Sequence, residues 1–272
     1  MFVAQLRQWT QGRTLHLASH VTLRTHKLRL DWELSSESLE DNIEGRDLDT
    51  HLARLFAGQF GQDLEDLAIN GDTTSTDPLL KVADGWHKQA LTGRVVDASA
   101  VGGALAAETQ IGRPHFNAAL KALPRKFQAR KGDMRFYASP QIANDYLYSL
   151  SEMNANPADM VMSALRTSST VDGAVGQAVA APFGVPLIEV PMFDTGFNVA
   201  NADTEVSDLE ASSYIELTAP KNRVWGIQRD IQLFREFQVK KDTIEYTMFV
   251  RAAWAWQNLD AVVTVNNIPV VQ

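Results

Sequence analysis

The chain of 272 residues contains no cysteine, which excludes a disulfide framework and any metal site built on thiolates. It also contains no run of about 18 apolar residues, the length that a membrane-spanning helix needs. Basic residues are outnumbered by acidic ones, 25 against 33, and the net charge of -8 does not suit a protein that grips nucleic acid. The N-terminus has no basic stretch leading into an apolar core, so we expect no signal peptide.

Catalytic signatures are missing as well. The sequence has no phosphate-binding loop, no dinucleotide fingerprint and no Gly-x-Ser-x-Gly nucleophile elbow. His16 and His20 lie four residues apart, but no glutamate accompanies them and their segment has the pattern of a strand rather than a helix. We therefore predict no metal site, no cofactor and no enzymatic activity. Because catalytic triads assemble in space rather than in sequence, a soluble hydrolase stays open as an alternative.

The most prominent feature that is present is a predicted helix over residues 37–70. Its apolar residues recur every three or four positions, which places them on one helical face. These residues are Leu48, Leu52, Leu55, Phe56, Phe60, Leu64 and Leu67. Ser36 or Ser38 can cap the start, and Asn70-Gly71 is expected to end the helix in a left-handed conformation. A helix of this length is about 45 Å long and would cross the whole molecule.

The segment before this helix has a different pattern. Residues 14–34 alternate apolar with polar or basic side chains, as extended structure with two unlike faces does. One strand pair without a core of its own is marginal in water. The segment therefore either packs against another subunit or folds back as an edge hairpin onto its own domain, and the pattern leaves both possibilities open.

The rest of the chain mixes helix and strand. A short strand at 134–138 leads into a helix that Ser139 caps and Pro140 opens, with Ile142, Tyr146, Leu147 and Leu150 facing inward. Residues 163–181 are predicted as loop, and 183–191 as an edge strand. From Ser213 onward the pattern is β, with a long antiparallel hairpin that turns at 240–242 and a last strand at 261–265. Together these elements predict an α+β protein in which the helix covers one sheet face.

An ordered set of motifs resembles the major capsid proteins of tailed bacteriophages with the Hong-Kong-97 type fold. No single motif is decisive, but their order over residues 14–270 is specific. The motifs are Leu39-Glu-Asp-Asn-Ile-Glu-Gly45, Leu64-Glu-Asp-Leu-Ala-Ile-Asn-Gly-Asp72, Asp84-Gly-Trp86, Arg135-Phe-Tyr-Ala-Ser-Pro140, Pro182-Phe-Gly-Val-Pro-Leu187, Asn222-Arg-Val-Trp-Gly-Ile227 and Phe234-Arg-Glu-Phe237.

This resemblance implies an α+β capsid fold with an extended E-loop, a long spine helix, an antiparallel sheet in a peripheral domain and a separate axial α/β domain. The implied division runs as follows: an N-terminal remnant and E-loop at 1–36; the peripheral domain at 37–133, with the spine helix at about 37–70; the axial domain at 134–212; the long peripheral hairpin at 213–258; and a C-terminal strand returning to the axial domain at 259–272.

The implied function is structural. The resemblance predicts pentamers and hexamers of this chain that form an icosahedral phage capsid around double-stranded DNA, held without sequence-specific binding. It further implies portal, scaffolding and decoration proteins as partners, assembly in the bacterial host cytoplasm and a final location in the virion. A nanocompartment shell of the encapsulin type, which encloses a cargo enzyme instead of DNA, would share the fold and is the main alternative.

Subunit contacts are predicted at two places. Arg24, Lys27 and Arg29 of one subunit should face Glu37, Glu40, Asp41 and Glu44 of a neighbour. The hairpin turn at Lys240, Lys241 and Asp242 should lie near local threefold contacts. Some relatives cross-link a lysine to an asparagine of the next subunit, but no motif around Lys27 supports this and we predict no cross-link. Little sequence precedes Arg13, so contacts of the N-terminal arm found in the family are left unassigned.

Overall fold

The computed structural model describes residues 21–35, 37, 47–101, 111–152, 165–167, 178–193 and 212–269. Its α-helices are α1 (Asp47–Asn70), α2 (Trp86–Ala90), α3 (Arg113–Ala122), α4 (Arg125–Gln128) and α5 (Pro140–Glu152). Its strands are β1 (His26–Ser35), β2 (Arg94–Asp97), β3 (Arg135–Ala138), β4 (Leu165–Thr167), β5 (Ala178–Ala180), β6 (Leu187–Glu189), β7 (Ser212–Thr218), β8 (Arg223–Gln238), β9 (Thr243–Trp256) and β10 (Val263–Pro269). The described strands form three sheets.

The long hairpin predicted from the sequence is confirmed as β8 and β9. β1 pairs with the other side of β9, so the antiparallel sheet has the order β1-β9-β8, and we call it the hairpin sheet. In the first half of β9 every second residue is buried, namely Ile244, Tyr246, Met248 and Val250. This is the alternation that the sequence shows, and it gives the hairpin sheet one apolar, inner side.

β1 is part of the segment that either leans on a neighbour or folds onto its own chain. All ten of its residues pair with β9, from His26 opposite Ala252 to Ser35 opposite Thr243. Leu28 is buried, and its alternate neighbours pack against the same core. For residues 26–35 the structure shows the second of these alternatives, because both the backbone hydrogen bonds and the apolar side of β1 are satisfied within the chain. The first part of the predicted extended segment, residues 14–20, lies outside the described residues.

α1 packs on the inner side of the hairpin sheet, chiefly through its C-terminal half, where Leu67 is fully buried. The ring of Phe56 stacks on Trp32 with the centroids 4.6 Å apart. Leu55 is wrongly assigned to the buried face, since 54% of its surface is exposed. The described helix has 24 residues; Glu37 is helical, and the predicted stretch at 38–46 lies outside the described residues.

The helix ends at Asn70 as predicted, but for a different reason than the one expected. Among the described glycines the positive φ belongs to Gly184, so Gly71 does not adopt the left-handed conformation. Instead, a Cβ atom at Gly71 would lie 2.3 Å from the carbonyl oxygen of Ala83 and 2.4 Å from that of Leu67. Close approach of backbone to backbone therefore requires a glycine here.

A second sheet has the order β2-β10-β7-β3-β6 and joins distant parts of the chain. Its core includes Phe116 of α3 and Ile142 and Tyr146 of α5. β10 joins this sheet as a C-terminal strand, beside β7 and β2. This pairing differs from the predicted division, which grouped β7 with the hairpin and β2 with the long helix. Non-local hydrogen bonding, not position in the sequence, sets sheet membership.

Two further local expectations need correction. Residues 163–181 were expected as loop, yet β4 and β5 pair antiparallel there, with Arg166 opposite Val179. Strands of three residues carry too little periodicity to be recognised in sequence. Ser139 does cap α5, since its Oγ accepts the N–H of Ile142 at 3.4 Å, but Leu147 is 38% exposed rather than inward. The side chain of Leu150 lies outside the described part of the chain.

Candidate subunit interface

The three predicted cations lie at exposed positions on β1 or just before it. Nζ of Lys27 stands 4.3 Å from the centre of the Phe249 ring, a cation–π distance. Nε of Arg29 is 2.8 Å from Oδ2 of Asp31, and both side chains are largely exposed. Such a pair contributes little to stability. Arg24 is exposed as well, so all three cations remain accessible to a partner.

The predicted acidic partners are only partly described. Glu37 is exposed, whereas Glu40, Asp41 and Glu44 lie outside the described residues. No ion pair joins Glu37 to the three cations of β1 within the part of the chain that the structure covers. The predicted contact concerns a second subunit, and it stays a prediction.

The hairpin turn carries the other predicted contact residues. Lys240 is exposed, and Asp242 adopts a positive φ of 53° that closes the turn. Nζ of Lys241 lies 3.1 Å from Oε1 of Glu33 and 3.3 Å from Oε1 of Glu245. These hydrogen bonds, the one to Glu33 first, raise the pKa of Lys241. Lys241 thereby ties the turn to both β1 and β9, while Lys240 points outward.

Sequence reasoning missed an exposed apolar strand. β8 forms one edge of the hairpin sheet, and no described strand hydrogen-bonds to the free edge of β8. Its exposed large apolar side chains, together with Val239 just beyond its end, are Ile227, Ile231, Leu233, Phe234 and Phe237. A long apolar edge strand is normally covered by another chain or element. The apolar residues were visible in the sequence, but only the order of strands in the sheet shows that they lie on an edge strand.

The two larger sheets meet at a buried ion pair that the sequence also did not reveal. Nη2 of Arg223 donates to Oε1 of Glu216 at 2.8 Å, and Glu216 is only 1% exposed. Burial raises the pKa of the Glu216 carboxyl, and Arg223 offsets part of this rise. The guanidinium lies 4.1 Å from the ring centre of Tyr137 and 5.6 Å from those of Trp86 and Trp256. Arg223 therefore anchors elements of both sheets at one point.

A partly buried histidine, His87, lies close to this junction. The ring of His87 stacks on Tyr214 with the centroids 3.7 Å apart, and Phe193 stacks on the other side of Tyr214 at 4.3 Å. Desolvation lowers the pKa of His87 to about 4, and the charge of Lys88 adds to this shift. His87 is thus uncharged at neutral pH and serves as a packing group.

Neither a metal nor a membrane signal emerges from the described residues. Within residues 21–35, 37, 47–101 and the later described ranges, no three potential ligands among His, Asp and Glu come together in a metal-binding arrangement. None of the described helices has the length and apolarity to cross a bilayer. The features that stand out are surfaces suited to contact with other protein.

Solved shells have the same architecture. The structure of this chain matches the capsid of Myoviridae phage XM1 with a TM-score of 0.58 at 11% identity, over 90% of this chain and 74% of that chain. It matches the holo-SrpI encapsulin of Synechococcus elongatus PCC 7942 with a TM-score of 0.57 at 12% identity, over 92% and 75%. The satellite phage P4 procapsid follows with a TM-score of 0.56 at 14% identity, over 100% and 81%.

The chain therefore has the Hong-Kong-97 type capsid fold, and the resemblance to tailed-phage capsid proteins is confirmed. In sequence, it is 30% identical over 234 residues to YqbE of Bacillus subtilis strain 168, a protein provisionally named as a prophage capsid protein. That alignment spans 85% of this chain and 64% of YqbE, so this chain matches somewhat under two thirds of the relative's length. No protein-family model matches the chain.

Proposed function

We propose that this chain is a structural protein of a bacteriophage head, which self-assembles into pentamers and hexamers of an icosahedral shell around double-stranded DNA. The observation that carries the proposal is the identity of 30% to a prophage capsid protein over 85% of this chain. The capsid fold supports it independently. The proposed role is structural rather than enzymatic.

The physical basis of the proposed function is association. β8 presents an apolar edge with Phe234 47% and Phe237 52% exposed, and its charges are accessible beside it. Many contacts of modest area, each weak alone, become strong together when a closed shell makes them simultaneously. The net charge of -8 favours a shell that repels phosphates and encloses the genome without sequence-specific binding.

The proposal includes further parts that follow from the family resemblance. Residues 1–36 contain the E-loop that reaches a neighbouring subunit, 134–212 contribute axial contacts at the symmetry axes, and the turn at 240–242 lies near local threefold contacts. Portal, scaffolding and decoration proteins are the proposed partners. Assembly takes place in the bacterial host cytoplasm, and the protein ends in the virion.

The charged contact between subunits has its own test. Changing Lys27→Glu and Arg29→Glu together reverses the sign of β1 at exposed positions, so the subunit should fold normally but fail to assemble. Exposed ion pairs contribute roughly 0–1 kcal/mol each, which sets the register of subunits more than their affinity. Normal particles of this double variant in electron micrographs would contradict the proposed contact.

An encapsulin-type nanocompartment is the second candidate, because the SrpI encapsulin aligns with 92% of this chain at a TM-score of 0.57. Both candidates predict shells, so the shell alone does not separate them. Nuclease-treated particles that still contain double-stranded DNA support a phage head. Particles that lack DNA and hold a co-purified enzyme support a nanocompartment.

The test of the main proposal is size-exclusion chromatography followed by negative-stain microscopy of the purified full chain. Closed particles of uniform size, or rings of five and six subunits, are expected. A protein that stays monomeric at high concentration, with no particles on the grid, would refute the shell function.

A further inference from the structure

The outer side of the hairpin sheet, opposite α1, sorts its charges by sign. The side chains on this side alternate with the buried ones, and the strand register places them in rows across β1, β9 and β8. The charged groups in these rows are Lys27, Arg29, Asp31 and Glu33 on β1, Glu245 and Arg251 on β9, and Arg229 and Glu236 on β8. We call this surface the outer face.

A basic row crosses one end of the outer face. Lys27 is directly opposite Arg251, and Arg251 is directly opposite Arg229. Like charges that face each other across strands are destabilising. None of the three forms an ion pair with a described acidic residue. With Phe249 they line an open cleft of about 450 Å³, where the Arg229 guanidinium lies 5.8 Å from the Phe249 ring centre. Among the described residues, no acidic side chain forms an ion pair with this row.

An acidic row crosses the outer face near the turn. Glu33 is directly opposite Glu245, and Glu245 is directly opposite Glu236. Lys241 binds the first two carboxylates, which leaves three acids against one cation. Glu236 is exposed and makes no ion pair within the described residues. The acidic row therefore also carries excess charge.

The two rows lie a fixed distance apart. Lys27 and Glu33 are six positions apart on β1, which corresponds to roughly 20 Å along a strand. Between them Arg29 and Asp31 pair with each other and cancel. The middle of the face also carries Phe234 and Phe249, with ring centres 5.9 Å apart. The outer face is thus positive at one end, apolar and neutral in the middle, and negative at the other end.

We infer that the outer face binds the outer face of a second copy of this chain across a two-fold axis. The inference rests on the proposed shell function, since it names one contact of that shell. The proposed two-fold axis lies between the two sheets, parallel to their planes and perpendicular to their strands. Rotation about this axis reverses the strand direction, so each strand of one copy lies antiparallel over the same strand of the other copy. Arg229 then lies over Glu236 of the second copy and Lys27 over Glu33, and each contact occurs twice because the interface is self-complementary.

The area of the outer face and the distribution of its charges favour a second copy of this chain as the binding partner. Three strands of about ten residues cover roughly 14 by 33 Å, so two faces bury roughly 900–1,000 Å² in total. That is below the about 1,200 Å² of a standard stable interface, so the contact acts as one of several in an assembly rather than holding a dimer alone. A polyanion such as DNA would be attracted by one row and repelled by the other. Lys27 thus has two proposed partners, Glu33 in this contact and the acids at 37–44 in the contact suggested by the sequence, and the exchange of charges on β8 tests the first.

The test exchanges the two charges of β8. Arg229→Glu alone and Glu236→Arg alone each replace two attractions by two repulsions at every two-fold contact, and particle yield should fall by at least about tenfold. The double variant Arg229→Glu/Glu236→Arg restores opposite charges across the axis, so its yield should return to within about twofold of the wild type. Particle yield is measured by sedimentation and negative-stain counting of the full chain.

Lys121→Glu is the matched control, because Lys121 is exposed on α3 and the same charge change there should leave yield unaltered. Circular dichroism and urea midpoints of all variants show whether they fold. Single variants that assemble like the wild type, or a double variant that is not rescued although folded, overturn the inference while wild-type particles keep the shell function intact. A Glu236→Arg variant that gains nucleic acid and keeps its yield identifies a polyanion as the occupant and also overturns it. Absence of wild-type particles instead refutes the shell function itself.

Discussion

The buried pair of Arg223 and Glu216 offers the sharpest test of how the two larger sheets are held together. Replacing Arg223 by Met keeps an apolar stem of similar length but removes the guanidinium. The Glu216 carboxylate, only 1% exposed, would then remain buried without its partner. The prediction is a large loss of stability in a protein whose backbone hydrogen bonds are all unchanged.

The magnitude follows from the desolvation of the carboxylate. Removing one member of a buried ion pair typically costs about 3–5 kcal/mol. Loss of the stacking of Arg223 on Tyr137 at 4.1 Å adds about 0.5–1 kcal/mol. Burial already raises the pKa of Glu216. The carboxylate can therefore take up a proton, which reduces part of this cost. We expect a net loss of about 3–4 kcal/mol in the free energy of unfolding at pH 7.

The pH dependence of this loss has a definite sign. Arg223 lowers the pKa of Glu216, so its removal raises that pKa further above the unfolded value. A group with a raised folded-state pKa favours the folded state at low pH and loses that contribution as the pH rises through the folded pKa. The difference between wild type and Arg223→Met should therefore shrink as the solution is acidified.

Urea unfolding followed by tryptophan fluorescence measures this effect directly, because Trp86 and Trp256 lie beside the guanidinium. The double variant Arg223→Met/Glu216→Leu removes both charges and should recover most of the loss. Arg94→Met is the control, since its pair with Asp260 spans 3.9 Å between exposed side chains and should matter little. A loss below about 1 kcal/mol for Arg223→Met, unchanged with pH, would refute the argument that the pair is a buried anchor.

Three further predictions concern the helix and the junction. The pKa of His87 is lowered from 6.5 to about 4. Its contribution to stability is therefore present above pH 6.5 and is lost as the pH falls towards 4, by up to about 3 kcal/mol. His87→Phe should flatten this part of the curve of stability against pH, and an unchanged curve would contradict the assignment. Gly58→Ala, where nothing lies within 4 Å of the added Cβ, should stabilise α1 by up to about 1 kcal/mol, whereas Gly71→Ala should destabilise the protein in thermal unfolding. Leu67→Ala should cost about 2–5 kcal/mol and Leu55→Ala about 0.5 kcal/mol or less in urea unfolding; similar losses would show that the burial pattern of the helix is wrong.

The local pattern of the sequence predicted much of the hairpin sheet. The alternation of Ile244, Tyr246, Met248 and Val250 with polar residues requires an extended strand with one buried side, whatever the partner strand is. The cap of α5 at Ser139 was also predicted from the sequence, since it depends on Ile142 three residues away. The end of α1 at Asn70 was predicted at the right residue, but the close approach of Ala83 that requires Gly71 was not visible in the sequence. The order of motifs along the chain also identified the capsid fold before any contact was known.

Partners distant in sequence decided the rest. The place of β1 on β9, the union of β2 and β7 in one sheet and the exposure of Leu55 all depend on which strand or helix lies opposite. The sequence shows the sign of the charge on Lys27, Arg229 and Glu236. Their alignment in rows depends on the register of three strands and on the bulges on either side of Arg229. Periodicity in a sequence fixes which side of an element is apolar, whereas the energy of pairing and burial selects the element that covers it.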